Sequence, residues 1–160
     1  MFENHISPWM DEELHIMRDA VHKFLAREFV PHMARWEKQG CIDRDAWNKA
    51  GTAGLLCVSI PAQYGGGGGN FKHEMVLVEE LCYAHISGFG NSVHSGIVAH
   101  YINSYGSEEQ KQKWLPKMAS GEIVSAIAMT EPGTGSDLQA VATTAIKNGE
   151  NYVLNGQKTF

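Results

Sequence analysis

Cysteine is scarce in this chain. There are three in 160 residues, Cys41, Cys57 and Cys82, far apart and without a CxxC pair. An odd, sparse set argues against a disulfide framework and reads as reduced thiols in a cytosolic protein, each expected to be buried as a small apolar side chain. Long apolar runs are missing as well: none approaches the roughly 18 residues of a membrane span. Basic residues are few and scattered, 13 Lys and Arg against 18 Asp and Glu, and a net charge of −5 leaves no nucleic-acid footprint. The start, Met1-Phe2-Glu3-Asn4, lacks the basic and apolar regions of a signal peptide and the Arg-rich character of a transit peptide, so a cytoplasmic location is expected.

What is present can fold. With 43% hydrophobic and 19% charged residues, the chain can bury the core of one domain, or of one domain plus the start of another. A helix is expected from about Asp11, because Asp11, Glu12 and Glu13 put negative charge at its N-terminal dipole and Leu14, Met17, Val21, Phe24 and Leu25 follow helical spacing. Pro31 should kink or divide it, and a continuation through Met33 and Trp36 should end near Gly40. Asp43 can cap a short helix holding Trp47 and Ala50, stopped by Gly51 or Gly54. Helices are also expected over about 71–83, with Met75, Val78, Leu81 and Cys82 as the buried stripe, and over 91–105, ending at Gly106. Ser107-Glu108-Glu109-Gln110 matches a capping box and starts another helix, with Pro116 in or near its end.

After Gly121 the period changes. Ile123 to Met129 reads as a strand, Val141 to Lys147 alternates weakly, and Asn148-Gly149 and Asn155-Gly156 are turn signals around Tyr152-Val153-Leu154. The fold class expected is mainly α: an N-terminal helical bundle over residues 1–121, then the first strands of a β domain over 122–160. About 40 residues of β structure with unpaired edges make a poor independent sheet, so a fragment of a longer protein is expected.

Several motifs fail on inspection. The five glycines Gly65 to Gly69 are followed by Asn70-Phe71-Lys72, not by the Lys-Ser or Lys-Thr of a phosphate loop, and helices rather than a βαβ unit flank them. A flexible connector is the better reading. His73-Glu74-Met75-Val76-Leu77 misses the second histidine of HExxH, and His94 and His100 are badly spaced for one helix face, so no metal site is expected. The bend from Thr130 to Asp137 is different. An apolar run ends there in Thr130 and Glu131. Pro132 to Gly135 lets backbone amides approach a ligand, and Ser136 and Asp137 add a hydroxyl and a carboxylate. Such a mouth suits a large, flat, polar-edged ligand.

These residues resemble the flavin-binding signature of the acyl-CoA dehydrogenases: Ala128, Met129, Thr130, Glu131, Gly135, Ser136 and Asp137 match it, and Thr134 stands where the family usually has a smaller residue or Asn. Tyr64-Gly65-Gly66, Glu79-Glu80-Leu81, Tyr105 to Lys111, Trp114-Leu115-Pro116, Ser120-Gly121-Glu122 and Leu154 to Phe160 extend the likeness over nearly the whole chain. The resemblance implies FAD as cofactor, oxidation of an acyl-CoA to the trans-2-enoyl-CoA, electron transfer to an electron-transfer flavoprotein, and a homotetrameric complete enzyme. It implies cofactor contacts from Ile127, Ala128, Met129, Thr130, Glu131, Pro132, Gly133, Thr134, Gly135 and Ser136. Phe160 is implied beside the flavin ring, and Ser136 is also implied to reach the thioester substrate.

No catalytic residue is expected in this chain, because the family's base is a glutamate in a C-terminal helical domain; Glu131, Glu79, Glu80 and Glu108 are not candidates, the last three being read as helix-surface residues. Ser92 to Ala99 looks closest to long-chain members, with Ser95, Gly96 and Ala99 either making room for an acyl tail or packing helices tightly. An acyl-CoA oxidase and a non-catalytic helical assembly module are the alternatives.

Overall fold

The computed structural model describes residues 7–160, and the reading of Met1-Phe2-Glu3-Asn4 lies outside them. The chain is mostly helical with two strands, and it divides into two compact units between Ser125 and Ala126.

In the first unit, α1 (Glu12–Glu28) is capped by Asp11, whose carboxylate accepts the Leu14 N–H at 3.0 Å. A 3₁₀ turn carrying Pro31 separates α1 from α2 (Met33–Gln39), which ends at Gly40 with φ of 76°. In α3 (Arg44–Thr52), Ala46, Trp47 and Ala50 are buried. Asp43 precedes α3, but its side chain caps nothing: Arg35 and Gln39 take its carboxylate, and they hold it far below the usual carboxylate range.

Helix α4 (Phe71–Tyr83) begins in a capping box of Asn70 with His73, so the near-motif histidine serves as a cap. Its buried residues are Glu74, Val76, Leu77, Glu80 and Leu81. Cys82 is exposed, and Met75 and Val78 are half-buried, one position off the expected phase. Glu80 is not a surface residue either; it is 5% exposed and accepts from His22 at 3.0 Å. A continuous helical stretch follows: α5 (Asn91–Val93), a π-helical turn (His94–Ala99) and α6 (His100–Tyr105). Helix α7 (Glu108–Ala119) starts in the expected box, Ser107 Oγ accepting from the Gln110 N–H and Gln110 Oε1 from the Ser107 N–H.

Two apolar clusters hold this unit. The larger centres on Phe29, fully buried, whose ring meets Phe24, Trp36 and Phe89 at centroid distances of 4.9–5.6 Å. The smaller joins Cys57, Ile60, Tyr64, Ala99, Leu115 and Met118. Of the cysteines, only Cys57 is buried; Cys41 and Cys82 are exposed, against the expectation for all three.

The glycine run is not a flexible connector. Gly67, Gly68 and Gly69 donate to the carbonyls of Cys57, Ile60 and Val58 at 2.9–3.1 Å. A Cβ on Gly66 or Gly67 would lie 2.2 or 2.6 Å from the Ile60 or Val58 carbonyl oxygen, so only glycine lets the two backbones lie so close.

In the second unit, β1 (Thr144–Asn148) and β2 (Asn151–Asn155) form an antiparallel hairpin with Thr144 opposite Asn155 and Asn148 opposite Asn151. Gly149, with φ of 61°, is the first residue of the two-residue turn, one place after the expected signal begins. Asn155-Gly156 makes no reversal. Gly156 instead passes so close to Thr143 that a Cβ would clash with its hydroxyl. Residues 123–129 are not a strand: no ladder forms there among the described residues.

Candidate functional site

The bend after Met129 is built by its own hydrogen bonds. Glu131 and Thr134 exchange backbone bonds at 2.9 and 3.0 Å, which closes Pro132 and Gly133 into a tight turn. The Thr134 hydroxyl donates to the Ala140 carbonyl at 2.9 Å, and the Asp137 carboxylate accepts from the Gln139 amide at 3.1 Å and starts a 3₁₀ turn, Leu138–Ala140. Two of the expected contact residues therefore turn inward: Glu131 and Thr134 are 6% and 5% exposed. Their side chains are engaged within the unit, so a ligand at this bend would meet the neighbours instead.

Those neighbours are open. Ala128, Met129, Pro132, Gly133, Gly135 and Ser136 are exposed, and Ile127 and Thr130 half-buried. The structure also brings the chain's last residues to the bend: the Thr159 amide donates to the Thr130 carbonyl at 2.9 Å, and Phe160 follows, 94% exposed. A hydroxyl edge, glycine backbone and an uncovered aromatic ring thus come from one small assembly. Their chemistry fits a flat heteroaromatic group with a polar rim.

Lys158, within the stretch Leu154 to Phe160, carries a role that no motif assigns it. Its ammonium lies 2.9 Å from Glu131 Oε1 and 3.0 Å from the Met129 carbonyl. The Ala142 and Thr143 amides complete the surroundings of the Glu131 carboxylate at 2.7 and 3.0 Å. Bonds from Thr143, Lys158 and Ala142 hold its pKa down to about 2, so it is ionised at neutral pH. The pairing spans 27 positions, a separation that no local periodicity reveals.

The helical unit has a separate cavity of about 470 Å³. Phe71, Met75, Val78 and Ile97 give it apolar walls. Gly96, within the π-helical turn, opens it: a Cβ there would meet nothing within 4 Å. Of the three small residues on this stretch, only Gly96 makes room. Ser95 is fully buried, accepting from the Cys57 amide and donating to Asn91, and Ala99 belongs to the smaller core cluster. One wall is polar, where Ser59 Oγ donates to Glu74 Oε1 at 2.7 Å and lies 2.9 Å from His100 Nε2. Among the described residues no cluster is able to hold a metal ion, and none of their helices is long and apolar enough to cross a membrane.

The model of the acyl-CoA dehydrogenase N-terminal domain matches residues 11–122, and that of the acyl-CoA dehydrogenase middle domain matches residues 126–160. The chain is 48% identical over 145 residues to the mitochondrial long-chain specific acyl-CoA dehydrogenase of Sus scrofa, an alignment covering 91% of this chain and 34% of that protein. It superposes on the acyl-CoA dehydrogenase of Geobacillus kaustophilus with a TM-score of 0.89 and 50% identity, over 97% of this chain and 41% of that one. An acyl-CoA dehydrogenase of Bacillus anthracis, crystallised in complex with FAD, gives 0.83 and 33% over 96% of this chain and 27% of that one. The chain spans about a third of the length of the curated relatives it matches.

Proposed function

The chain belongs to the acyl-CoA dehydrogenase family, and from that premise we propose that it forms the N-terminal part of an FAD-dependent enzyme that oxidises an acyl-CoA thioester to the trans-2-enoyl-CoA. The observation that carries the proposal is the bend at 130–136 with its open hydroxyls and glycines, tethered to the segment that presents Phe160. The B. anthracis relative that binds FAD supports the choice of cofactor.

The Thr130 and Ser136 hydroxyls and the backbone of Gly133 and Gly135 would hold the polar rim of the flavin, and the Phe160 ring would pack against its face. When bound, the flavin supplies the acceptor for the hydrogen that leaves the β carbon as hydride. Donors at the rim favour the negative charge that reduction develops. Ser136 would also meet the thioester. Electrons would pass on to an electron-transfer flavoprotein, and the complete enzyme would assemble as a homo-oligomer.

The α proton would go to a base outside these 160 residues. Glu131 is unsuited: its carboxylate already accepts two amides and an ammonium, and a pKa held down to about 2 makes it a poor proton acceptor. Glu80 is occupied by His22.

The acyl tail would enter the cavity beside Gly96, and the long-chain relatives support a long tail. The complete protein should purify with bound FAD that is bleached by a long-chain acyl-CoA, with enoyl-CoA as the product. Gly96→Phe should lower kcat/KM for long acyl groups by about tenfold or more and leave butyryl-CoA nearly unchanged, because a filled pocket discriminates by tail length. Peroxide formed in step with enoyl-CoA would point to an oxidase instead. A colourless, inactive protein would end the proposal.

A further inference from the structure

Glu131 lies in the middle of the bend, yet it has nothing left to give a ligand. Its backbone N–H and C=O are paired with Thr134. Oε2 accepts from the Ala142 amide, and Oε1 accepts from the Thr143 amide and the Lys158 ammonium. Lys158 is the only basic side chain paired with it among the described residues. A buried carboxylate this fully engaged acts on the chain around it, not on a bound molecule.

What it organises is the meeting of three chain segments. Lys158 bridges Glu131 to the Met129 carbonyl, and the next residue, Thr159, donates to the Thr130 carbonyl. The Ala142 and Thr143 amides bring in the segment leading to β1, against which Gly156 makes its close pass. Three bonds thus run from 158–159 to 129–131: two from the Lys158 ammonium and one from the Thr159 amide. They tether the segment that carries Phe160 to the chain at Met129 to Glu131. They also engage the carbonyls of Met129 and Thr130 as acceptors.

Resting on the flavin reading above, we infer that Glu131 and Lys158 are positioning residues: their ion pair sets the gap between the Thr130–Ser136 rim and the Phe160 ring into which the flavin must fit. Neither touches the cofactor; both act through the backbone they hold. A purely structural ion pair would alter stability and leave flavin affinity, in protein that still folds, unchanged. A misplaced ring or rim alters affinity itself, because preorganised contacts lose strength when their supporting partners are removed.

The test uses the complete protein stripped of FAD and titrated with FAD by fluorescence quenching, alongside hydrogen exchange of the Thr159 amide. Lys158→Met should weaken FAD binding by about tenfold or more, and the Thr159 amide should exchange about tenfold faster, in the range seen when supporting partners of a bound group are removed. Lys158→Arg, which can still pair with Glu131, should return affinity to within about threefold of wild type. If Lys158→Met fails to fold, the isosteric Glu131→Gln carries the same expectation. Faster Thr159 exchange with unchanged FAD affinity would overturn the inference, as would wild-type behaviour on both measurements. A wild-type protein that takes up no FAD would overturn the functional reading itself, a result distinct from either.

Discussion

At residue scale the three thiols separate by environment. Cys57 is fully buried, and burial pushes its pKa up to about 11, so it stays a protonated thiol at neutral pH. Alkylation of the folded chain with iodoacetamide at pH 8 should modify Cys41 and Cys82 and reach Cys57 only after denaturation, as peptide mass mapping would show. His94 is equally constrained. Its Nε2–H must donate, because the partner at 3.1 Å is the Met118 carbonyl; its Nδ1 must accept, because the Ser125 amide donates to it at 3.1 Å. Only the neutral ring satisfies both, and burial lowers its pKa below the ordinary value. A histidine with a depressed native pKa contributes stability that is complete above its unfolded pKa, about 6.5, and is lost as pH falls below it. The thermal midpoint of the helical unit should therefore drop between pH 7 and pH 5, and His94→Gln should start lower and change less across that interval. The burial of Cys57 was expected from its type, but the exposure of Cys41 and Cys82 and the fixed tautomer of His94 were not legible, since the sequence marks a cysteine or a histidine without saying what surrounds it.

Elements show where local rules suffice. The Ser107–Gln110 box acts where its spacing places it, and Asp11, expected only as negative charge at the start of α1, also caps it, because a cap is a contact between residues three apart. Ser107→Ala should cost about 1 kcal/mol in chemical denaturation. Asp43 fails as a cap because Arg35, eight residues earlier, competes for its carboxylate. The glycine run fails as a flexible connector for a related reason: its amides find carbonyls at 57–60, so the loop is pinned. Gly67→Ala would drive a methyl into the Val58 carbonyl and should destabilise by about 1–3 kcal/mol; a flexible linker would tolerate it. The α4 stripe was read one phase off because Met75 and Val78 face a cavity, where apolar side chains are as welcome as in a core.

Across the whole molecule the two units differ in what holds them. Helices α1 to α4 share an aromatic core around Phe29, whereas every residue of the β1–β2 hairpin is exposed. A two-stranded hairpin without a buried face is marginal. Hydrogen exchange of this 160-residue chain should accordingly show amides of Val21, Leu25 and Leu77 protected to near the global stability and those of Ile146 and Val153 exchanging orders of magnitude faster. Phe29→Ala should cost about 3–5 kcal/mol and unfold the helical unit at lower denaturant. The sequence by itself determined the helical unit, most of its boundaries, and the position of the Thr130–Asp137 bend, because caps, helical spacing and glycine turns act over a few residues. Only the tertiary structure decided that Glu131 belongs to Lys158, that Gly96 opens a cavity while Ser95 and Ala99 close on the core, and that residues 123–129 carry no ladder. Each of those depends on which distant group arrives to take a charge, a void or a backbone bond, and spacing along the chain does not encode that arrival.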